Sequence, residues 1–297
     1  MSYFVFDLDE TLANLYSAYY YVSSLRLKSQ LDTSIFPIEL EKQLEHAYQL
    51  FVERILKEES NKPLGILRPG ILQIMSSLLT LKKKGKIANV IIYSNNSSLE
   101  SLEFIRDLIH THINNKHLIS DCVHWDHPLR TKEKLLYPGM YPKTWNTISE
   151  IILQKSSRIV RPKNVYFFDD LDHPDLQKTL QNNYYKVPPY EFKASVNRIN
   201  AIYDSVLKDA KVDITNFCIY LFDVFPIYST FFPLYQKGIT HNNLLFIFSE
   251  LTKKTASEHV IPEEDSAIDL INNAINKLKT KNKTKCRRRY TYKRSKL

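Results

Sequence analysis

The chain has 297 residues, of which 43% are hydrophobic and 25% are charged, and these values suit a globular protein with one large domain or a domain with additions. Its cysteines, at positions 122, 218 and 286, lack CxxC or zinc-finger spacing, which argues against a disulfide framework and a zinc site. We therefore expect a reducing compartment, the cytoplasm or the nucleus, and no secretory signal.

The net charge of +9 is concentrated at the carboxyl end. Residues 277–297 hold 11 Lys or Arg and no Asp or Glu, which leaves 30 basic against 32 acidic residues elsewhere. Such a block attracts nucleic acid, acidic proteins or a nuclear import receptor. The alternative is a solvated end with no dedicated partner. We predict a basic, disordered tail over 277–297, used for nuclear import or for attachment to nucleic acid.

The first predicted element is a buried strand at residues 3–6, which leads directly into Asp7, Asp9 and Glu10. Capping of the next turn accounts for one Asp but not for the pair. If the strand persists, Asp7 and Asp9 point to the same side and share one small site. Because like charges repel, this arrangement indicates a bound cation or a carboxyl group that carries a proton for chemistry.

Residues 13–65 are predicted to form a helical insertion. Three consecutive tyrosines, at 19–21, lie in a first predicted helix at 14–29, and they belong either to the core or to a stacking surface for substrate. A second, amphipathic helix is predicted over 37–59. Its apolar positions at helical spacing are Leu40, Leu44, Ala47, Phe51 and Ile55.

A helix at 71–85, stopped by Gly85, is followed by an apolar strand that ends in Ser94 and Asn95. Another helix is predicted from Ser98 to about residue 112. This alternation is typical of a parallel α/β sheet, in which ligands bind at the carboxyl ends of the strands. The alternative for Ser94 and Asn95 is helix capping.

The segment 163–176 again runs from apolar residues into carboxylates, at Asp169, Asp170, Asp172 and Asp175. Three strands thus deliver polar groups to one edge of a sheet. The predicted fold is α/β, with a parallel, Rossmann-like sheet flanked by helices. We place the catalytic domain at 1–195 and a helical extension at 196–276.

The longest apolar stretch, at 217–235, contains Asp223, Pro226 and Pro233. Because these residues are costly or disruptive in a lipid-facing span, we predict a buried helical segment and no contact with a membrane.

The segments DLDETL (7–12), YSNN (93–96) and FFDDLDHPD (167–175) resemble the first, second and fourth motifs of the haloacid dehalogenase-like phosphatases. Together with LRPG (67–70), they are most similar to the branch that contains the RNA polymerase C-terminal-domain phosphatases and their small nuclear relatives. The resemblance covers about residues 3–190.

This resemblance implies that Asp7 is the nucleophile and forms an aspartyl-phosphate, while Asp9 is the general acid and then the general base. It also implies one Mg²⁺, bound by the Asp7 carboxylate, the Asp9 backbone carbonyl and Asp170, with Asp169 helping directly or through water. The phosphoryl oxygens are expected to be held by Thr11 and Ser94, with Asn95 nearby.

The family also uses a lysine, in its third motif, to neutralise charge at the reacting phosphate. We favour Lys143, which precedes the helix before the third of these strands, over Lys132, Lys134 and Lys163. A surface ion pair is the alternative for each of them.

Two features depart from the small phosphatases of this branch. The insertion at 13–65 is long enough to cap the site. The stretch 121–130 lies where the family often places loops that face the substrate. Its His124, Trp125, His127 and Arg130 are candidates for reading a phosphorylated partner, or they form a polar turn.

The sequence therefore predicts a Mg²⁺-dependent phosphatase that acts on a phosphoprotein. An enzyme for nucleotides or nucleic-acid ends, which the basic tail would recruit, is the first alternative. The second is a catalytically silent binding module that keeps the fold and uses the helical extension as its interaction surface.

Overall fold

Five parallel strands form the centre of the structure, a computed structural model. It describes residues 1–30, 36–136, 142–192, 194–224, 244–245, 247–248 and 265–294, with the backbone alone for 30, 223–224 and 281–294. The strands are β1 (Ser2–Phe6), β2 (Ile87–Tyr93), β3 (Ile119–Val123), β4 (Val165–Asp169) and β5 (Tyr184–Lys186), in the order β3-β2-β1-β4-β5. The prediction of an α/β fold with a parallel sheet flanked by helices is confirmed.

Two of these strands, β3 and β5, were not predicted from the sequence. Strand β3 includes residues 121–123, which we expected to begin a substrate-facing loop, and this expectation was wrong. Cys122 and Val123 are buried, and Val123 pairs with Tyr93 of β2. The segment of Ser120, Asp121 and Cys122 is too polar and too short to predict a strand from sequence, because its strand conformation depends on pairing with β2.

Ten helices are described beside the sheet. They are α1 (Tyr19–Leu25), α2 (Ile38–Asn61), α3 (Ile71–Lys83), α4 (Leu99–Ile113), α5 (Thr131–Leu136), α6 (Trp145–Ser156), α7 (Pro174–Leu180), α8 (Val196–Asp209), α9 (Ile214–Val224) and α10 (Ser266–Arg294). The predicted helices at 37–59, 71–85 and 98–112 match α2, α3 and α4. Ser98 caps α4 by accepting a hydrogen bond from the Ser101 N–H.

The sheet is buried on both faces because side chains alternate along each strand. Phe4 and Phe6 pack on one face and Tyr3 and Val5 on the other. Strand β4 follows the same alternation, and the Tyr166 ring lies 5.0 Å from that of Phe4. Continuation of this pattern places Asp7 and Asp169 on the Val5 face, at the carboxyl ends of their strands.

Helix α2 of the insertion packs against α4 and against α8, the first helix of the C-terminal region. The five apolar positions that predicted α2 are all buried. Whether 13–65 caps the site, and whether the domain boundaries at 195 and 276 hold, stay predictions.

Helix α10 packs against α3 and continues to Arg294, into the segment expected to be a disordered tail. A physical reason for the difference is that residues 266–297 contain no Gly or Pro, so composition does not interrupt a helix there.

The predicted buried helical segment at 217–235 lies only partly within the described residues. Helix α9 covers its start, with Phe217, Cys218 and Leu221 buried, and residues 225–235 lie outside. Within the part of the chain that the structure describes, every helix falls short of the length or apolar character needed to traverse a bilayer.

Candidate active site

Three carboxylates meet where β1 and β4 end. One ligand oxygen from each of Asp7, Asp169 and Asp170 lies within 4.8 Å of the others. Asp7 and Asp169 are buried, and the Asp7 N–H donates to the Phe168 carbonyl at 2.9 Å, which aligns the two strand ends. The structure therefore brings together the predicted acidic residues of the first and fourth motifs.

Lys143 lies between two of these carboxylates. Its Nζ is 2.5 Å from Asp7 Oδ1 and 2.6 Å from Asp169 Oδ2, and the side chain is fully buried. Burial opposes its charge, but Asp169 and Asp7 outweigh that effect and raise the pKa of Lys143. Lys143 is thus the candidate lysine that the structure brings to the carboxylates, and Lys134 instead pairs with Asp126 at 2.5 Å.

The two buried carboxylates respond differently to this environment. Burial raises the pKa of Asp7 well above its usual range, against the effect of Lys143, and Asp169 and Asp9 raise it further. Burial also acts on Asp169, but Lys143 and His173 together lower its pKa. His173 Nε2 lies 3.2 Å from Asp169 Oδ2, a contact that the sequence reading missed.

A buried ion pair positions the segment that carries Lys143. Arg130 donates from Nε to Glu133 at 2.8 Å, and from Nη2 to the Pro142 carbonyl at 3.0 Å. Glu133 in turn accepts hydrogen bonds from the Thr144 N–H at 2.9 Å and hydroxyl at 2.8 Å. The pair therefore holds the residues on both sides of Lys143.

Arg130 is fully buried and also donates to the Ser94 carbonyl at 2.6 Å and to Asn95 Oδ1 at 2.7 Å. The expectation that Arg130 reads a phosphorylated partner was wrong, because its donors are used inside the protein. His127 caps a short 3₁₀ helix by accepting from the Leu129 N–H at 3.3 Å. Of this stretch, Trp125 lines the same cleft as Asp7.

Asp9 lies in the turn that follows β1. The strand ends at Phe6, so the condition under which Asp7 and Asp9 would point to the same side, a strand that persists through Asp9, is not met. Its carboxylate instead accepts hydrogen bonds from Ser94 Oγ at 3.2 Å and from Asn96 Nδ2 at 3.2 Å. Burial raises the pKa of Asp9 against these two donors. Asn96 was missed because YSNN offers two adjacent amides and no local rule that distinguishes them.

The remaining predicted residues contact their neighbours in the first and fourth motifs. Thr11 is buried and donates from Oγ1 to Asp170 Oδ1 at 3.2 Å, so it orients that carboxylate. Burial and then Asp169 raise the pKa of Asp170. Asp172 and Asp175 do not join the cluster. Asp172 pairs with Lys186, and Asp175 caps α6 by accepting from the Trp145 N–H at 2.8 Å.

Arg68 holds the turn that contains Glu10, which has a left-handed φ of 56°. Arg68 Nη2 donates to the Glu10 carbonyl at 2.7 Å and to the Pro188 carbonyl at 2.6 Å. The Tyr190 N–H also donates to the Glu10 carbonyl, at 2.7 Å. Since non-glycine residues at positive φ carry strain, these bonds stabilise the turn between Asp9 and Thr11.

The carboxylates open into a cleft of about 880 Å³. Its apolar and aromatic walls come from the start of the insertion and from the loops after β3 and β4, and the loop after β2 adds polar side chains at 94–97. A larger concavity, of about 940 Å³, lies between α2, α4 and β3; it is lined by His124 and His127 but by none of the predicted catalytic, metal-binding or phosphate-binding residues. The lining residues of the first cleft beyond the acidic cluster include Leu15, Tyr16, Tyr19, Tyr20, Trp125 and Leu171.

The donor set of this edge fits a divalent cation that prefers oxygen. Four carboxylates, of Asp7, Asp9, Asp169 and Asp170, border the cleft or its floor, and Lys143 contacts two of them. Mg²⁺ takes oxygen ligands and keeps several waters, which suits a site that is half open to a cleft. The same donors also suit other hard cations.

Comparison of the chain with protein-family models, with curated proteins and with solved structures finds no significant match.

Proposed function

We propose that this protein is a Mg²⁺-dependent phosphatase of the haloacid dehalogenase-like type, which hydrolyses a phosphate monoester on a phosphoprotein. The observation that carries the proposal is the contact of Asp7 with Lys143 at 2.5 Å, beside Asp169 and Asp170 at one strand edge. A buried carboxylate held by a buried lysine in a metal-competent acidic cluster is the arrangement expected of a nucleophile that attacks phosphorus.

In this proposal the Asp7 carboxylate attacks phosphorus, and the bond from phosphorus to the leaving oxygen breaks. Asp9 gives its proton to that oxygen, and then takes a proton from the water that hydrolyses the aspartyl-phosphate and regenerates Asp7. The raised pKa of Asp9 suits a group that must first carry a proton. Ser94 and Asn96 would hold Asp9 in position through the hydrogen bonds described above.

Lys143 would keep positive charge next to the attacking oxygen throughout. Asp7, Asp170 and the Asp9 carbonyl would hold the Mg²⁺, with Asp169 close enough to assist. The ion would supply charge stabilisation for the phosphoryl oxygens. Thr11 would act mainly by orienting Asp170, whereas Ser94 and Asn95 remain the candidates for contact with the phosphoryl group.

Hydrolysis of a generic aryl phosphate, with Mg²⁺ and with a chelator, tests this proposal. We expect turnover that requires the metal and is lost in Asp7→Asn, which removes the nucleophilic charge and keeps the shape. Asp172→Asn is the matched control, because Asp172 is another carboxylate of the segment 167–175 and lies outside the cluster. Its activity is expected to stay within about twofold of the wild type, since exposed ion pairs contribute little.

Metal-independent turnover, or equal turnover in Asp7→Asn, would contradict the proposed mechanism. No turnover of the aryl phosphate or of a panel of phosphopeptides and nucleotides would favour the silent binding module.

A further inference from the structure

Aromatic side chains share the cleft with the proposed catalytic residues. Tyr16, Tyr19 and Tyr20 come from the beginning of the insertion, and Trp125 comes from the loop after β3. Tyr16 is 56% exposed, and the Tyr19 and Tyr20 rings pack edge to face with centroids 5.2 Å apart. Tyr21, the third consecutive tyrosine, is buried and donates to Asn200 at 2.6 Å. The insertion therefore divides its tyrosines between the core and the cleft.

Tyr16 is exposed, and Tyr19, Tyr20 and Trp125 are partly buried, so these rings present part of their surface to the cleft. Aromatic surface beside the proposed reacting centre indicates an apolar group in the substrate. Exposed aromatic surface is costly in water. Each stacked or edge-to-face contact with a substrate ring would raise the affinity for that substrate by about a few-fold. Leu171, which is 54% exposed, extends the apolar rim on the side of the fourth motif. A flat ring attached to the phosphate would find contacts here that a serine side chain lacks.

The charge of the lining restricts the substrate further. The described residues that line this cleft include no Lys or Arg, and Glu10 and Asp170 add carboxylates to those of Asp7 and Asp9. Among the described residues, Lys143 is the one basic side chain that forms an ion pair with Asp7, and it is buried beneath the cleft. A second phosphate, as in a nucleoside diphosphate or a nucleic-acid backbone, would meet like charge at close range. The cleft therefore favours a single phosphate on an uncharged group.

We infer that the cleft takes the phosphotyrosine side chain of a protein, with the phenyl ring packed against Tyr16 and Tyr19. This inference rests on the proposed function and names its substrate class. In phosphotyrosine the ring is bonded directly to the phosphate oxygen, whereas a nucleotide places a polar ribose there. The half-exposed rim allows a peptide chain to pass across the mouth. A bond forms between the Asp7 oxygen and phosphorus as the bond from phosphorus to the phenolic oxygen breaks, and that oxygen takes the proton of Asp9 to leave as the tyrosine hydroxyl.

The test compares two peptides of identical sequence that carry phosphotyrosine or phosphoserine, with adenosine monophosphate as a third substrate. We expect the wild type to prefer phosphotyrosine by about tenfold or more in kcat/KM, as a few aromatic contacts predict. In Tyr16→Ala and Tyr19→Ala the preference should fall several-fold, through KM. Tyr16→Phe, which keeps the ring, should retain it. Ile159→Ala is the remote control, since Ile159 is 91% exposed in the loop that leads to the amino end of β4.

Binding to Asp7→Asn separates this inference from the proposed function. Preferential binding of the phosphotyrosine peptide without turnover in the wild type would support the site and refute the phosphatase. Metal-dependent hydrolysis that treats both peptides alike, or that prefers the nucleotide, would overturn the inference and leave the phosphatase standing. Absence of both binding and turnover would overturn both.

Discussion

Arg68 donates a hydrogen bond from Nη2 to the backbone carbonyl of Glu10, across 58 residues of sequence, at 2.7 Å. The same nitrogen reaches the Pro188 carbonyl, and Nη1 lies 3.4 Å from Asp265 at the start of α10. One buried guanidinium thus joins the proposed catalytic turn to the loop after β5 and to the C-terminal helix. Its role would be to position the turn that carries Asp9.

Replacement of this guanidinium should therefore impair both folding and catalysis. We expect Arg68→Met to lower the free energy of unfolding by about 2–4 kcal/mol, because it leaves buried carbonyls and Asp265 without their donor. Arg54→Met is the matched control, since Arg54 is partly exposed and pairs with Asp209, and it should cost about 1 kcal/mol or less. Urea unfolding measures both. Equal costs would show that the turn does not depend on Arg68.

Lys143 should be required for activity in a way that the rival lysines are not. We expect Lys143→Met to lower kcat by about a hundredfold or more, because it removes the cation next to the proposed nucleophile. The variant also removes the lysine partner of both Asp7 and Asp169, so we expect a lower melting temperature that added Mg²⁺ partly restores. Aryl phosphate hydrolysis and thermal unfolding provide the measurements.

Lys163→Met is the control for this prediction, as Lys163 belongs to a 3₁₀ helix before β4 at the opposite end of that strand. If Lys143→Met kept its activity and Lys163→Met lost it, Lys163 would be the lysine that neutralises charge at the reacting phosphate.

Gly65 should tolerate a side chain less well than Gly85, although both have positive φ, of 88° and 64°. A Cβ at Gly65 would overlap the ring of Phe192, whereas at Gly85 nothing lies within 4 Å. We expect Gly85→Ala to cost about 1 kcal/mol for the backbone conformation and Gly65→Ala about 1–3 kcal/mol more for the overlap. Chemical denaturation of both variants tests this difference.

The Phe192→Ala background sharpens that measurement. If the ring causes the additional cost, Gly65→Ala in this background should cost about as much as Gly85→Ala. An unchanged difference would point to a cause other than Phe192.

His110 should make the protein less stable as the pH falls. Its Nε2 accepts a hydrogen bond from the Ile119 N–H at 3.2 Å, which ties α4 to the edge strand β3. Burial lowers the pKa of His110 to about 4, with Arg106 adding to the effect. The unfolded chain takes up this proton near pH 6.5. Between about pH 6.5 and 4 the unfolded state binds a proton that the folded state excludes, so this contribution to stability is complete above pH 6.5 and is lost as the pH falls through this window.

The expected slope from this group is at most about 1.4 kcal/mol per pH unit. His110→Gln keeps an acceptor without the titration, so its free energy of unfolding should depend less on pH than that of the wild type. His112→Gln is the control, because His112 lies exposed on the same helix. Urea unfolding from pH 7.5 to 4.5 gives the three slopes, and identical slopes for wild type and His110→Gln would contradict the prediction.

Local sequence determined the strands β1, β2 and β4 and the helices α2, α3 and α4. Their apolar residues recur at a period of two or 3.6, or form continuous runs that only a doubly covered strand accommodates. Asp7 and Ser94 directly follow β1 and β2, and Asp169 is the last residue of β4, so parallel pairing alone brings those side chains to one edge. That part of the site follows from periodicity and from the geometry of a parallel sheet.

The sequence favoured Lys143 by its place before a helix, but only the tertiary structure showed that it enters the acidic cluster, because Lys143 and Asp7 are 136 residues apart. The tertiary structure also turned Arg130 inward, where Glu133 and the Ser94 carbonyl use its donors, and it gave Arg68 its role in the turn at Glu10. Strands β3 and β5 are stabilised by a neighbouring strand more than by their own pattern. In each case the deciding energy comes from contacts between distant segments, and no local period encodes those.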